Sequence, residues 1–266
     1  MLAGQYKNYF KHFLFGMLTL CLLYAGYSWE LPYFKFAPSS LGIVFLSFLF
    51  YQKKGMHLLG LKASSNFYIF AFLSSIILCL ISACLIDFVL KQQGAIMVSR
   101  TYEHILVNSF QTLNEEIVFR SLLLITILKF FRNPTQSQIL LFVLILPAAL
   151  FSIIHHLFFS ILVNPENQGQ LEPLVFVTLF SFGLATNSFF LAFRNILVPW
   201  AVHSAWNIAR FSFSIQTPSQ QALLEYQGFN LIEGSWQICL LSITLAIAGS
   251  ASLILKNNRN PCKSNL

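Results

Sequence analysis

The chain has 266 residues, of which 56% are hydrophobic and 9% charged. An average soluble domain is about 25% charged, so the composition excludes an ordinary soluble enzyme and marks an integral membrane protein. The net charge of +7 is spread in pairs between apolar runs, as the positive-inside rule expects, and this distribution argues against a nucleic-acid partner.

A helix that crosses a bilayer needs about 20 mostly apolar residues. In chain order such runs fall at about 12–28, 37–52, 67–90, 104–130, 137–163, 173–193, 195–214 and 236–255. The expected fold is all-α, a polytopic bundle of about eight transmembrane helices forming one integral-membrane domain over 1–266. Lys7 and Lys11 ahead of the first run would suit a signal peptide, but no clean small-residue cleavage site follows, and the run reads as an uncleaved span.

With the N- and C-termini cytoplasmic, eleven basic residues fall inside, among them Lys53, Lys54, Lys129, Arg132, Arg194 and Lys256. Only Lys35, Lys91, Arg100 and Arg210 fall outside, and the sixteenth, Arg120, lies within a span. A miscount by one span would scramble this sorting, and the bias suits a bacterial inner membrane. The polar connections 91–103 and 215–235 read as plain outer loops, with a lid or an interfacial helix as the alternative. Cys21, Cys79, Cys84 and Cys239 lie in apolar runs, no CxxC occurs, and Cys262 is one place too far from the C-terminus for a prenylation box. They read as packing residues, and no disulfide, metal or cofactor is expected.

The fourth run is interrupted by NEEIVFRS, residues 114–121. Asn108, Thr112, Glu115, Glu116 and Arg120 recur there at helical spacing and form a polar stripe. Three charges at the centre of a span cost on the order of 9 kcal/mol before any pairing. Glu116 and Arg120, four apart, can pair along the helix, whereas Glu115 is rotated about 100° away and has no such local partner. The fifth run holds FSIIHH, with Phe151, His155 and His156, and the seventh holds HSAWN, with His203 and Asn207 one turn apart. A lone intramembrane His is more often an interhelical hydrogen-bonder than a catalyst. Three spans presenting Glu, His and Asn at middle depth together supply a base, a water-holder and hydrogen-bond donors, the groups that hydrolysis needs.

EEIVFR reads as EExxxR, FSIIH as FxxxH and HSAWN as HxxxN, in that order and each on its own span. The chain thereby resembles the CAAX-protease and bacteriocin-processing (Abi) family of intramembrane glutamic endopeptidases, whose best-known branch is the type II CAAX prenyl protease. The resemblance covers about 101–214. It implies that Glu115 is the base that activates a water, that His155 orients the same water, and that His203 and Asn207 stabilise the oxyanion. Glu116 and Arg120 then hold the helix and the base in place. The spacing from Phe151 selects His155, with His156 either a supporting neighbour or a packing residue. Pro147 and Pro199 are expected to kink the spans that carry the histidines. The partners implied are the bilayer and a membrane-associated protein or peptide substrate, whether lipidated or not.

Three other readings compete. A zinc metalloprotease would need ligands from three helices in the absence of HExxH. A transporter would call for an inverted repeat with a matching polar site, and the first three spans have almost no polar centres. A non-catalytic membrane scaffold or bacteriocin-immunity protein would keep the same residues without turnover. The charge sorting makes a direct prediction. Reporter fusions after Lys54, Arg132 and Lys256 report cytoplasm, and fusions near Glu166 and Glu225 report the opposite side; an external signal at Arg132 would overturn the eight-span order.

Overall fold

The computed structural model describes residues 11, 13–19, 21, 22, 24, 25, 36–52, 59–99, 103–124, 127, 138–157, 172–216 and 225–259. Of the first expected run, residues 13–19, 21, 22, 24 and 25 are described and helical, whereas the topology markers Lys53, Lys54, Arg100, Lys129, Arg132 and Glu166 lie outside the described residues. Helix α1 (Ala37–Tyr51) has Pro38 in its first turn, where a missing N–H costs nothing. Helix α2 (Ser65–Gln92) starts where the Ser64 hydroxyl accepts from the Phe67 N–H at 3.4 Å. At 28 residues α2 is about 42 Å long, more than enough for a hydrocarbon core of about 30 Å. Strand β1 (Ile96–Ser99) follows, and then α3 (Glu103–Glu116), which runs on into π-helical turns over Ile117–Leu124.

A second π-helical stretch, Ile139–Ile145, leads into α4 (Leu146–Leu157). Helix α5 (Pro173–Phe193) opens on Glu172-Pro173, and α6 (Leu197–Phe211) starts where the Asn195 side chain accepts from the Leu197 N–H at 2.7 Å. Strand β2 (Phe213–Gln216), α7 (Glu225–Ile232) and α8 (Trp236–Arg259) complete the order. Among the described residues, four helical segments are long and apolar enough to cross a bilayer: Ser65–Gln92, Ile139–Leu157, Pro173–Phe193 and Trp236–Lys256. The protein is therefore a helical integral membrane protein. Helix α1 is apolar but has only 15 residues, α6 also has 15, and α3 carries the charged motif.

Two features depart from the sequence reading. The connections expected to be plain loops contain β1 and β2, which pair antiparallel with Ile96 opposite Gln216 and Ser99 opposite Phe213, and the second also contains α7. Each strand is four residues long, too short for its alternation to stand out from the apolar sequence around it. Pro199 is the third residue of α6, in the first turn, where its missing N–H breaks no intrahelical bond. It fits the helix start and produces no kink. Pro147 does sit at a discontinuity, where π-helical turns give way to α4, and there the Asn187 amide donates to the Leu144 carbonyl at 3.1 Å.

Helix α5 is the most enclosed of the four long segments, with 67% of its apolar window buried against 17% for α2. Small residues let its neighbours come close. A Cβ on Gly183 would lie 3.1 Å from the Ala148 Cα, and one on Gly249 would lie 2.9 Å from the Ala185 carbonyl oxygen. These contacts bring α4 and α8 against different faces of the same level of α5. Gly183→Leu is predicted to separate α4 from α5 at a cost of about 1–3 kcal/mol. Thermal unfolding in detergent should show a lower Tm, and an unchanged Tm would mean that this approach is not tight.

Candidate active site

Glu115 and Glu116 close α3 at adjacent positions, so they face different neighbours. Glu116 is fully buried, and Arg120 Nη1 lies 3.2 Å from its Oε1. Arg120, also fully buried, donates from Nη2 to the Thr186 hydroxyl on α5 and lies over the rings of Phe119 (5.6 Å) and Phe151 (5.1 Å). The Thr186 hydroxyl in turn bonds the Phe182 and Gly183 carbonyls, both at 3.0 Å. The expected Glu116–Arg120 pairing is thus present, tied to a third helix that the sequence did not indicate.

Glu116 has a further partner. His203 Nδ1 is 2.8 Å from Glu116 Oε1. A carboxylate facing a guanidinium accepts, so the imidazole donates from Nδ1 and turns Nε2 toward the other carboxylate. His155 is fixed in the same sense, its Nδ1 donating to the Phe151 carbonyl at 2.8 Å. The two Nε2 atoms converge on Glu115 Oε2, at 3.7 Å for His203 and 3.8 Å for His155. These separations are too long for direct hydrogen bonds and suit groups that share one bridging atom. Glu115 Oε2 has no hydrogen-bond partner within the protein, whereas Oε1 accepts from Gln111 Nε2 at 3.2 Å. Gln111, one turn before Glu115, is the local partner that the sequence reading had not found.

The helices that bring these groups together are locked in register. Thr112 and Ser204 hydroxyls meet at 2.7 Å, and Trp200 Nε1 donates to the Ser109 carbonyl at 2.9 Å, which joins α3 to α6. Asn114, at the head of the motif, bonds Ser39 and Ser40 of α1, each at 2.7 Å. The Phe151 ring sits 4.1 Å from the His155 ring and 5.9 Å from that of His203, so it spaces the two imidazoles as well as covering Arg120.

A cavity of about 250 Å³ opens beside the motif. Its wall contains Glu115, His155, His203, Asn207 and Phe151, within an otherwise mainly apolar and aromatic lining from α2, α5 and α8. Glu116 and Arg120 stand behind that wall, and His156 is half-buried and takes no part in it. At another point of the wall lies Glu233, from the turn between α7 and α8. Among the described residues, no group of three or more His, Cys, Asp or Glu side chains is placed to hold one metal ion.

Residues 97–209 match the family model described as type II CAAX prenyl endopeptidase Rce1-like. This stretch contains all three motifs. No curated protein and no solved structure matches the chain.

The burial of Arg120 gives a prediction that separates support from chemistry. Arg120→Ala leaves Glu116 buried opposite no cation, a change that costs about 3–5 kcal/mol. Purified yield and Tm in detergent should both fall, whereas His156→Ala should leave both unchanged. A fully stable Arg120→Ala protein would show that the pair does not hold the bundle together.

Proposed function

From the premise that the stretch 97–209 belongs to the Rce1-like family of type II CAAX prenyl endopeptidases, we propose that the protein is an intramembrane glutamic endopeptidase. In this reading it spans the membrane about eight times with both termini in the cytoplasm, in a bacterial inner membrane. It cleaves a peptide bond of a membrane-associated protein or peptide. The observation that carries the proposal is Glu115 Oε2, with no protein hydrogen bond of its own and two imidazole Nε2 atoms at 3.7 and 3.8 Å.

The hydrogen bonds behind the site support a role for each group. The neutral His155 ring, donating from Nδ1, presents a lone pair at Nε2. A water between Glu115 Oε2 and His155 Nε2 therefore gives one hydrogen to each and turns an oxygen lone pair outward. As that oxygen attacks the scissile carbonyl carbon, its proton passes to Glu115. The oxyanion is met by the Asn207 amide and by His203 Nε2. His203 already donates from Nδ1 to Glu116, so Nε2 donates only when the ring is doubly protonated; Asn207 donates in either state. Glu115 then returns its proton to the amide nitrogen, the C–N bond breaks, and amine and carboxylic acid leave.

This mechanism predicts an order of mutant effects. Glu115→Gln preserves shape but removes the proton acceptor, so cleavage stops while the protein still accumulates. His203→Ala and Asn207→Ala each slow turnover by about 10²–10³-fold, and the double mutant is less than additive because the two donors act as a unit. His155→Ala is severe and His156→Ala mild. Proteomics of membrane and secreted fractions, wild type against Glu115→Gln, supplies the substrate and the readout. An abundant Glu115→Gln protein that still cleaves would end the glutamic reading.

The dependence on metal is a separate test. Activity in detergent should survive chelation, since a carboxylate rather than a cation activates the water. Stoichiometric zinc by elemental analysis, lost together with activity and restored with it, would replace Glu115 as the activator.

A further inference from the structure

Beyond the matched segment, the cavity wall carries a second carboxylate that the mechanism leaves unused. Glu233 is 1% exposed, and neither of its carboxylate oxygens makes a hydrogen bond of good geometry, although the Trp206 indole and the Arg210 guanidinium are near enough to favour its charged form. Its one charged neighbour among them is Arg210, whose Nε lies 3.4 Å from Oε1 without hydrogen-bond geometry. The surroundings are shaped for this pair. Arg210 lies over the rings of Phe211 (5.0 Å) and Phe229 (5.4 Å), and a Cβ on Gly228 would come within 2.7 Å of its Nη2. The Thr178 hydroxyl donates to the Glu233 carbonyl at 2.8 Å and fastens the turn to α5.

A buried carboxylate with one imperfect ion pair is under-compensated. Burial lifts the Glu233 carboxyl to about 7 despite the pull of Arg210 and Trp206, so near neutral pH it is only partly ionised and a second positive group would favour its charged form. The wall itself has the same bias. Glu115 and Glu233 line the cavity, and no Lys or Arg does among the described residues. Arg210 lies seven positions beyond His203 on α6, about 10 Å along the axis, a distance that about three residues of extended peptide would cover.

We propose that Glu233, backed by Arg210, is a subsite for a positively charged group, an ammonium or guanidinium, that the substrate carries about three residues from the bond cleaved. This rests on the peptidase reading for the nature of the ligand, but its test does not need turnover. The full-length protein bearing Glu115→Gln is placed in nanodiscs and titrated with short apolar peptides, N-acetylated and C-terminally amidated. One series carries a single Lys at successive positions and the other carries norleucine there. A third arm leaves the N-terminal amine free, which distinguishes a chain terminus from a side chain as the source of the charge.

Lys at one position, or the free amine, should bind about tenfold more tightly than its neutral counterpart. Glu233→Gln should reduce that ratio to about one without a matching loss of affinity for the norleucine peptides. In the parent protein the preference should also fade as the pH drops through about 7, where Glu233 gains its proton. With Glu115 already replaced by Gln, the other titratable groups of the wall, His155 and His203, remain when Glu233→Gln is added, so a pH effect that survives there belongs to them. If Glu233→Gln fails to fold, Glu233→Asp and the pH series on the parent decide the matter. A parent with no Lys preference at any position, whether all probes bind alike or none binds, overturns the proposal, as does a preference that persists in Glu233→Gln. Cleavage lost in Glu115→Gln but unaffected by basic residues would leave the peptidase standing and remove only this subsite.

Discussion

The guanidinium of Arg120 is the group on which the rest of the site depends. Two adjacent carboxylates in an apolar bundle would otherwise have to leave the interior or take up protons. Arg120 sits between Phe119, Phe151 and the Thr186 hydroxyl, and from there it compensates Glu116. Glu116 is then available as the acceptor for His203 Nδ1, and the orientation of that imidazole follows. The chain of dependence runs from a cation on the π-helical turns after α3, through a carboxylate, to a ring on α6. It ends at Glu115, whose unpartnered oxygen belongs to a carboxylate on the cavity wall.

Much of this was legible in the sequence because charge within a span is so costly that its position carries information. Glu115, Glu116 and Arg120 could be picked out from a run of apolar residues, and helical spacing paired the latter two. His155, His203 and Asn207 could be assembled only by motif order, since nothing in the spacing of separate spans says that they meet. The Glu116–His203 bond was not legible. It depends on the rotation of α3 against α6, which Thr112, Ser204 and Trp200 set by contacts that any apolar helix pair might contain. Thr186 and Asn187 were hidden for a related reason, since a single Thr or Asn in a long apolar run gives no hint of which neighbouring carbonyl or cation it will serve. The strands β1 and β2 escaped because four residues are too few for alternation to be read.

The aromatic residues are spacers as much as filler. Phe151 touches Arg120 on one side and both imidazoles on another, and Phe182 meets the His203 ring edge-on at 5.2 Å. Rings of this kind have few rotamers and do not compete for protons. They therefore fix the separation between two histidines whose hydrogen-bonding atoms must converge on one point without bonding each other. The abundance of phenylalanine, 29 in the chain, is partly explained by such positions, where a flexible aliphatic chain would let the rings drift.

The family-matched stretch ends at residue 209, yet the cavity wall extends beyond it on both sides, to Leu78, Ile81 and Ser82 of α2 and to Glu233, Leu241 and Leu245 around α8. Part of the surface that meets a bound chain thus lies outside the matched stretch, alongside the part that α5 and α6 supply within it. Substitutions in α2 or α8 would reshape that outer part of the cavity without touching Glu115, His155, His203 or Asn207.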